Sequence, residues 1–106
     1  MSVEEIHLNE IGTIFEVTLK DDDLILDVST ATNAGDKQLV FKKPSGIVIT
    51  QEAVFKTDGS DGIIQYVSID GDLDELLVWQ IQAKVTIPGL GTWSSDISKF
   101  KVYENL

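Results

Sequence analysis

Cysteine is missing altogether. Its absence excludes a disulfide framework and thiolate ligation of a metal. Basic residues are scarce. Eight of them against eighteen acidic ones leave a net charge of −10. Such a balance is ill suited to nucleic-acid phosphates, which are held by Lys and Arg, and to an anionic membrane surface. It suits solubility, cations or a basic partner. No apolar run approaches the ~18 residues of a membrane span. The opening Met1-Ser2-Val3-Glu4-Glu5 lacks the apolar segment of a secretory signal. The expectation is a protein made in a cytoplasm and released, if at all, by lysis. Helical periodicity over ten residues, internal repeats and low-complexity linkers are also missing. The 106 residues therefore read as one domain spanning 1–106. Within it, residues 1–10 form a first strand or an N-terminal arm. Val3, Ile6 and Leu8 make this segment more apolar than a free tail needs. It is expected to pair along a sheet edge, of its own domain or of a neighbour.

Catalytic equipment is absent as well. His7 is the single histidine, with no second His to share a metal. No serine stands in Gly-x-Ser-x-Gly, so a nucleophile–base pair has no obvious members. Gly59-Ser60-Asp61-Gly62 is followed by no Lys and carries an Asp that repels phosphate. The expectation is no enzyme, no catalytic residue and no cofactor.

What is present is alternation. From Val78 to Ile87, Trp79, Ile81, Ala83, Val85 and Ile87 share one parity. Gln80, Gln82, Lys84 and Thr86 share the other. Side chains alternate across a strand, so this is a long strand with one dry face and one wet face. Shorter strands are expected over 13–19, 24–28, 38–43, 47–56, 63–69 and 97–103. The proposed core is Phe15, Val17, Phe41, Tyr66, Trp79, Ile81, Val85, Phe100 and Val102. Turns separate these runs. Lys43-Pro44-Ser45-Gly46 has Pro44 at i+1 and Gly46 at i+3. Asn33-Ala34-Gly35-Asp36 marks another reversal. In Thr57-Asp58-Gly59-Ser60-Asp61-Gly62, Gly59 or Gly62 is expected at positive φ. Leu73 to Leu77 reads as one helical turn capped by Asp72. Turn signals every ~8–12 residues point to an all-β fold, an antiparallel β-sandwich of about seven or eight strands.

Two candidate sites remain. Asp58 with Asp61, and Asp70 with Asp72, Asp74 and Glu75, invite a calcium reading. The run from Asp70 lacks the mid-loop Gly and the distal Glu of a calcium loop, so turn chemistry competes with it. Trp79 and Trp93 can stack on sugar rings. Trp79 falls on the dry parity, which leaves Trp93, after a Gly-rich turn, and Tyr103 as binding candidates for a glycan.

The stretch from Leu39 onward resembles a known family, the N-terminal domain of phage baseplate upper proteins. The matching pieces are Leu39-Val40-Phe41-Lys42-Lys43-Pro44-Ser45-Gly46, Ala53 with Phe55, and Thr57 to Gly62 with Gln65-Tyr66. Gly71-Asp72-Leu73, Trp79-Gln80-Ile81-Gln82-Ala83, Trp93-Ser94-Ser95 and Phe100-Lys101-Val102 follow in order. They cover roughly the last two thirds of the chain. Val78 departs from the pattern, where the family usually has Gly before the Trp. The resemblance implies an immunoglobulin-like module and a non-catalytic role in a virion tail or baseplate. It implies other virion proteins, and further copies of itself, as partners. A host-surface glycan is the alternative partner.

Overall fold

The computed structural model describes residues 6–105 and is all-β, with no helix among them. Its spine is Leu77–Ile87, the longest of eleven strands among the described residues. They are β1 (Ile6–His7), β2 (Ile14–Thr18), β3 (Lys20–Asp21), β4 (Leu24–Ile25), β5 (Lys37–Lys42) and β6 (Val48–Glu52). Then come β7 (Val54–Phe55), β8 (Ile63–Val67), β9 (Leu77–Ile87), β10 (Gly91–Ser94) and β11 (Ser98–Tyr103). Six of these strands form one sheet in the order β1-β11-β9-β5-β6, with β10 also on β9. A second sheet is β2-β8-β7, and β3-β4 is a separate hairpin.

The length of β9 explains the large sheet. On one side its first half pairs with β11, Leu77 opposite Val102 through Ile81 opposite Ser98. Its second half pairs on that same side with β10, Lys84 opposite Ser94 through Ile87 opposite Gly91. On the other side β5 covers the middle, Gln80 through Val85. Trp79, Ile81, Ala83, Val85 and Ile87 are all buried, so the alternation written in the sequence is the alternation of the strand.

The three-stranded sheet supplies the covering layer. Phe15 from β2 meets Phe41 edge-on at 5.3 Å and Phe100 at 4.9 Å. Trp79 stacks on Phe100 at 5.7 Å and 23°. Offset and edge-on aromatic pairs add about 0.5–1.5 kcal/mol each to the area they bury. The chain passes from the large sheet to the small one at Ala53, which is buried and donates its N–H to Lys37 O at 3.0 Å. A small side chain at this corner lets one continuous run, β6 then β7, serve both sheets.

Several expectations need correction. Val17 and Tyr66 are half-buried at the margin of the core rather than inside it. The 24–28 strand is only Leu24–Ile25. Val28 is buried beyond it and donates to Gly59 O at 2.9 Å. The helical turn at 73–77 does not form. Asp72 turns its carboxylate back instead, accepting from Ile69 N at 2.9 Å and from the Tyr66 hydroxyl. The segment after it is pinned by the Trp79 indole, which donates to Glu75 O at 3.0 Å. It delivers Leu77 with a φ of 85°, a conformation costly for a branched side chain.

The turns follow the sequence more closely. Gly46 N bonds Lys43 O at 2.8 Å, with Gly46 at φ 95°. Asp36 N bonds Asn33 O at 3.1 Å. Both Gly59 and Gly62 sit at positive φ, 89° and 70°. The N-terminal strand pairs within its own domain, in parallel with β11, Ile6 opposite Val102 and His7 opposite Tyr103. Val3, the other apolar residue invoked for this arm, lies outside the described residues.

Candidate functional site

The residues singled out for chemistry do not converge. Trp93 is half-buried on the inner face of the large sheet, opposite Val85. Val85 lies six residues beyond Trp79 on one strand, roughly 20 Å at the ~3.4 Å rise of a strand. Tyr103 lies on the outer face, 38% exposed, with its ring 6.2 Å from that of His7. Trp93 and Tyr103 therefore stand on opposite faces and make no joint stacking platform. The acidic residues are absorbed by local turns. Asp58 accepts from Ser60 Oγ at 2.6 Å and Ser60 N at 3.0 Å, which holds its carboxyl below the usual carboxylate range. Asp61 accepts from Thr57 Oγ1 at 2.9 Å and Ile63 N at 3.1 Å. Asp72 serves the Tyr66 hydroxyl. Burial first, and then this bond, push the Tyr66 phenol up to about 12. Asp70 is exposed on the same turn. Among the described residues, no group of three or more His, Asp or Glu side chains is placed to hold a metal ion.

What the fold does present is open strand edges. β6 terminates the large sheet. Lys43 N bonds Ile47 O at 2.8 Å and Ala53 N bonds Lys37 O at 3.0 Å. This phase gives Ile49 and Gln51 to β5 and turns the N–H and C=O groups of Val48, Thr50 and Glu52 outward. Edges are usually blunted by charge, Pro or a bulge. Ile47-Val48-Ile49-Thr50-Gln51 has none of these residues, and Ile47 and Val48 are exposed.

β2 is the longer of the two end strands of the small sheet, the other being the two-residue β7. Ser68 N bonds Thr13 O at 2.9 Å and Leu19 N bonds Gly62 O at 2.8 Å, so Phe15 and Val17 are the residues bonded to β8. The main-chain groups of Ile14, Glu16 and Thr18 face away from it. Beside this edge lies a groove of about 620 Å³. Glu16, Val17 and Thr18 line it on the β2 side, with the buried Ile81 beneath. Lys20, Asp22 and Asp23 close one end. Asp22 and Asp23 are the two residues of a tight hairpin, both at positive φ (50° and 64°). Ser94, Ser95, Asp96 and Ser98, from the β10–β11 connection, form the far wall.

Ser95 fixes that far wall. Between the parts of β9 that pair with β11 and with β10, Ala83 has no ladder partner on that side. Ser95 replaces it: its Oγ accepts from Ala83 N at 2.8 Å and its N–H donates to Ala83 O at 2.9 Å. Gln82 Nε2 then donates to Ser95 O at 2.8 Å. The wall is thus tied to the longest strand of the molecule.

Charge is unevenly spread. The outer face of the large sheet carries Lys42, Lys84, Lys99 and Lys101, half of the eight basic residues, all exposed. The groove carries Glu16, Asp22, Asp23 and Asp96 against Lys20. Neither edge was visible in the sequence, because alternation marks faces and says nothing of which strand ends a sheet. No family model, curated protein or solved structure matches this chain.

Proposed function

We propose that the protein is a non-catalytic docking module, an immunoglobulin-like β-sandwich of a phage tail or baseplate that binds neighbouring subunits through its strand edges. The open β6 edge carries this reading. Its outward main-chain groups at Val48, Thr50 and Glu52 are a template for an added strand, and its exposed side chains are uncharged or β-branched over 47–51. In a chain of net charge −10, the uncharged stretch 47–51 of this edge, which ends at Glu52, is where association meets least general repulsion. The ordered motifs from Leu39 to Val102 supply the virion setting, and the partners are then other virion proteins or further copies of this chain. The two aromatic candidates stand apart, so a glycan-binding role has less support. Particles made by the cell that encodes the protein, with a tag on this chain, are to be imaged by negative stain with gold label. Label on tails or baseplates is the expected result. Label absent from tails and capsids alike overturns the virion role.

A further inference from the structure

We propose that the groove beside β2 takes an extended, lysine- or arginine-bearing segment of a partner protein, added to the small sheet as a fourth strand. This rests on the reading of the protein as a docking module and names a second surface with the chemistry of its occupant. Three independent features converge there. The first is the edge: Glu16 and Thr18 line the groove and offer their main-chain N–H and C=O groups away from β8. No hydrogen bond reaches those groups among the described residues. An extended peptide satisfies such groups in the same way as a native strand. The second is space. The groove holds about 620 Å³ alongside a strand of five residues, and the far wall is held in place by the Ser95 bonds to Ala83. The third is charge: Asp22, Asp23 and Asp96 line the groove beside one basic residue there, Lys20. Glu16, at the rim, turns its carboxylate to the outer face, where it meets Lys56 at 3.3 Å in an exposed pair that a partner's cation can share.

The pleat specifies the occupant further. Val17 turns its half-buried side chain inward, beside the buried Ile81, while Glu16 and Thr18 point to the outer face. An added strand alternates likewise, so the fitting segment alternates apolar residues with lysine or arginine over about five positions. The undescribed residues 1–5 carry Glu4 and Glu5 and do not have this pattern.

The test uses the full chain and four fluorescein-labelled peptides, with binding followed by anisotropy. They are Lys-Val-Lys-Val-Lys, Glu-Val-Glu-Val-Glu, and two forms of the lysine peptide with alternate backbone nitrogens methylated, one in each register. The lysine peptide should bind, at least tenfold more tightly than the acidic one and more weakly as salt rises. N-methylation in one of the two registers should abolish binding, because it removes the donors of the added strand. Glu16→Gln with Asp96→Asn, both at exposed or half-exposed positions, should weaken binding about tenfold while leaving the melting temperature within a few degrees. Amide shifts should centre on 14–18 and 94–98. Equal binding of acidic and basic peptides, indifference to N-methylation in both registers, or shifts elsewhere would overturn the proposal. So would no binding up to ~1 mM. Each of those results leaves the particle-labelling result standing, so the two readings fail separately.

Discussion

The Lys43 ammonium lies 2.8 and 2.9 Å from the two carboxylate oxygens of Asp74, thirty-one residues away in the chain. Lys43 is 8% exposed and its Nζ stands 5.8 Å from the Trp79 ring centroid. Its stem therefore packs against the core beside Trp79 while its charge is met by Asp74 and, at 3.9 Å, by Glu75. The contact ties the 43–46 turn to the loop that leads into β9. Removing one partner of such a pair costs more than replacing the buried member by an apolar isostere. Asp74 is 45% exposed, which lowers the expected cost. Asp74→Asn should destabilise by about 1–2 kcal/mol, whereas Lys43→Met should be near neutral. Urea titration of both variants and their combination separates the terms. A larger loss for Lys43→Met than for Asp74→Asn contradicts this account.

Two glycines test space against backbone strain. Gly62 and Gly71 share a left-handed φ, 70° and 85°. A Cβ on Gly62 meets Leu26 O at 2.7 Å and Leu19 O at 3.0 Å, whereas a Cβ on Gly71 meets nothing within 4 Å. Gly71→Ala should therefore cost only the conformational term, about 1–2 kcal/mol. Gly62→Ala should cost clearly more, roughly 3 kcal/mol or above, because carbonyl groups must move. Equal midpoints in urea would show that the 57–62 turn yields easily.

Ser95→Ala strips the Ala83 N–H of its acceptor inside the large sheet. A buried donor left unpaired costs about 1–3 kcal/mol. The Ala83 amide should also exchange faster with solvent than its neighbours in β9, read by hydrogen exchange. Unchanged exchange at Ala83 would mean that water or another group takes over the bond.

Alkali should act through Tyr66. Its phenol is pushed up to about 12 from an ordinary 10.0 by burial and by the bond to Asp72. Below pH 10 the phenol is neutral in both states and its contribution is fully present. As the pH rises from 10 toward 12 the unfolded chain ionises first, so stability falls across that window. Urea midpoints between pH 9 and 12 should show this decline in the parent and less of it in Tyr66→Phe. Parallel curves for the two proteins would remove Tyr66 as the cause.

The sequence was legible where one residue type had one local job. The parity of Trp79 through Ile87 named the buried face, and Pro44, Gly46, Gly59 and Gly62 named their turns. Partners distant in the chain were not legible. Ser68 is buried, accepts from Thr13 N at 3.0 Å and donates to Glu10 O at 3.2 Å, yet its surroundings read as one more strand. Glu10 accepts from His7 N at 2.6 Å and Thr13 Oγ1 at 2.8 Å, which lowers its carboxyl and closes the first loop. Nothing local announces either bond. Leu77 shows the converse: a residue expected in a helical turn is held at positive φ because the loop before it is tied by Lys43 on Asp74, by Ser45 on Glu75 and by the Trp79 indole on Glu75 O. The groove was illegible for the same reason, since residues 16–18 and 94–98 meet only through the packing of two sheets.

The parallel pairing of β1 with β11 governs how the domain would carry a mechanical load. Ile6 opposes Val102 and His7 opposes Tyr103, so the chain enters and leaves along neighbouring strands that point the same way. The seam is extended by Leu8 N on Tyr103 O at 2.9 Å and by Asn105 Nδ2 on Leu8 O at 2.8 Å. Tension between residues 6 and 105 pulls these strands past each other rather than peeling them apart. Every bond of the seam is then strained at once, and rupture requires them to fail together. Loaded from these two ends, the seam is thus held in shear, and its bonds act together rather than one after another.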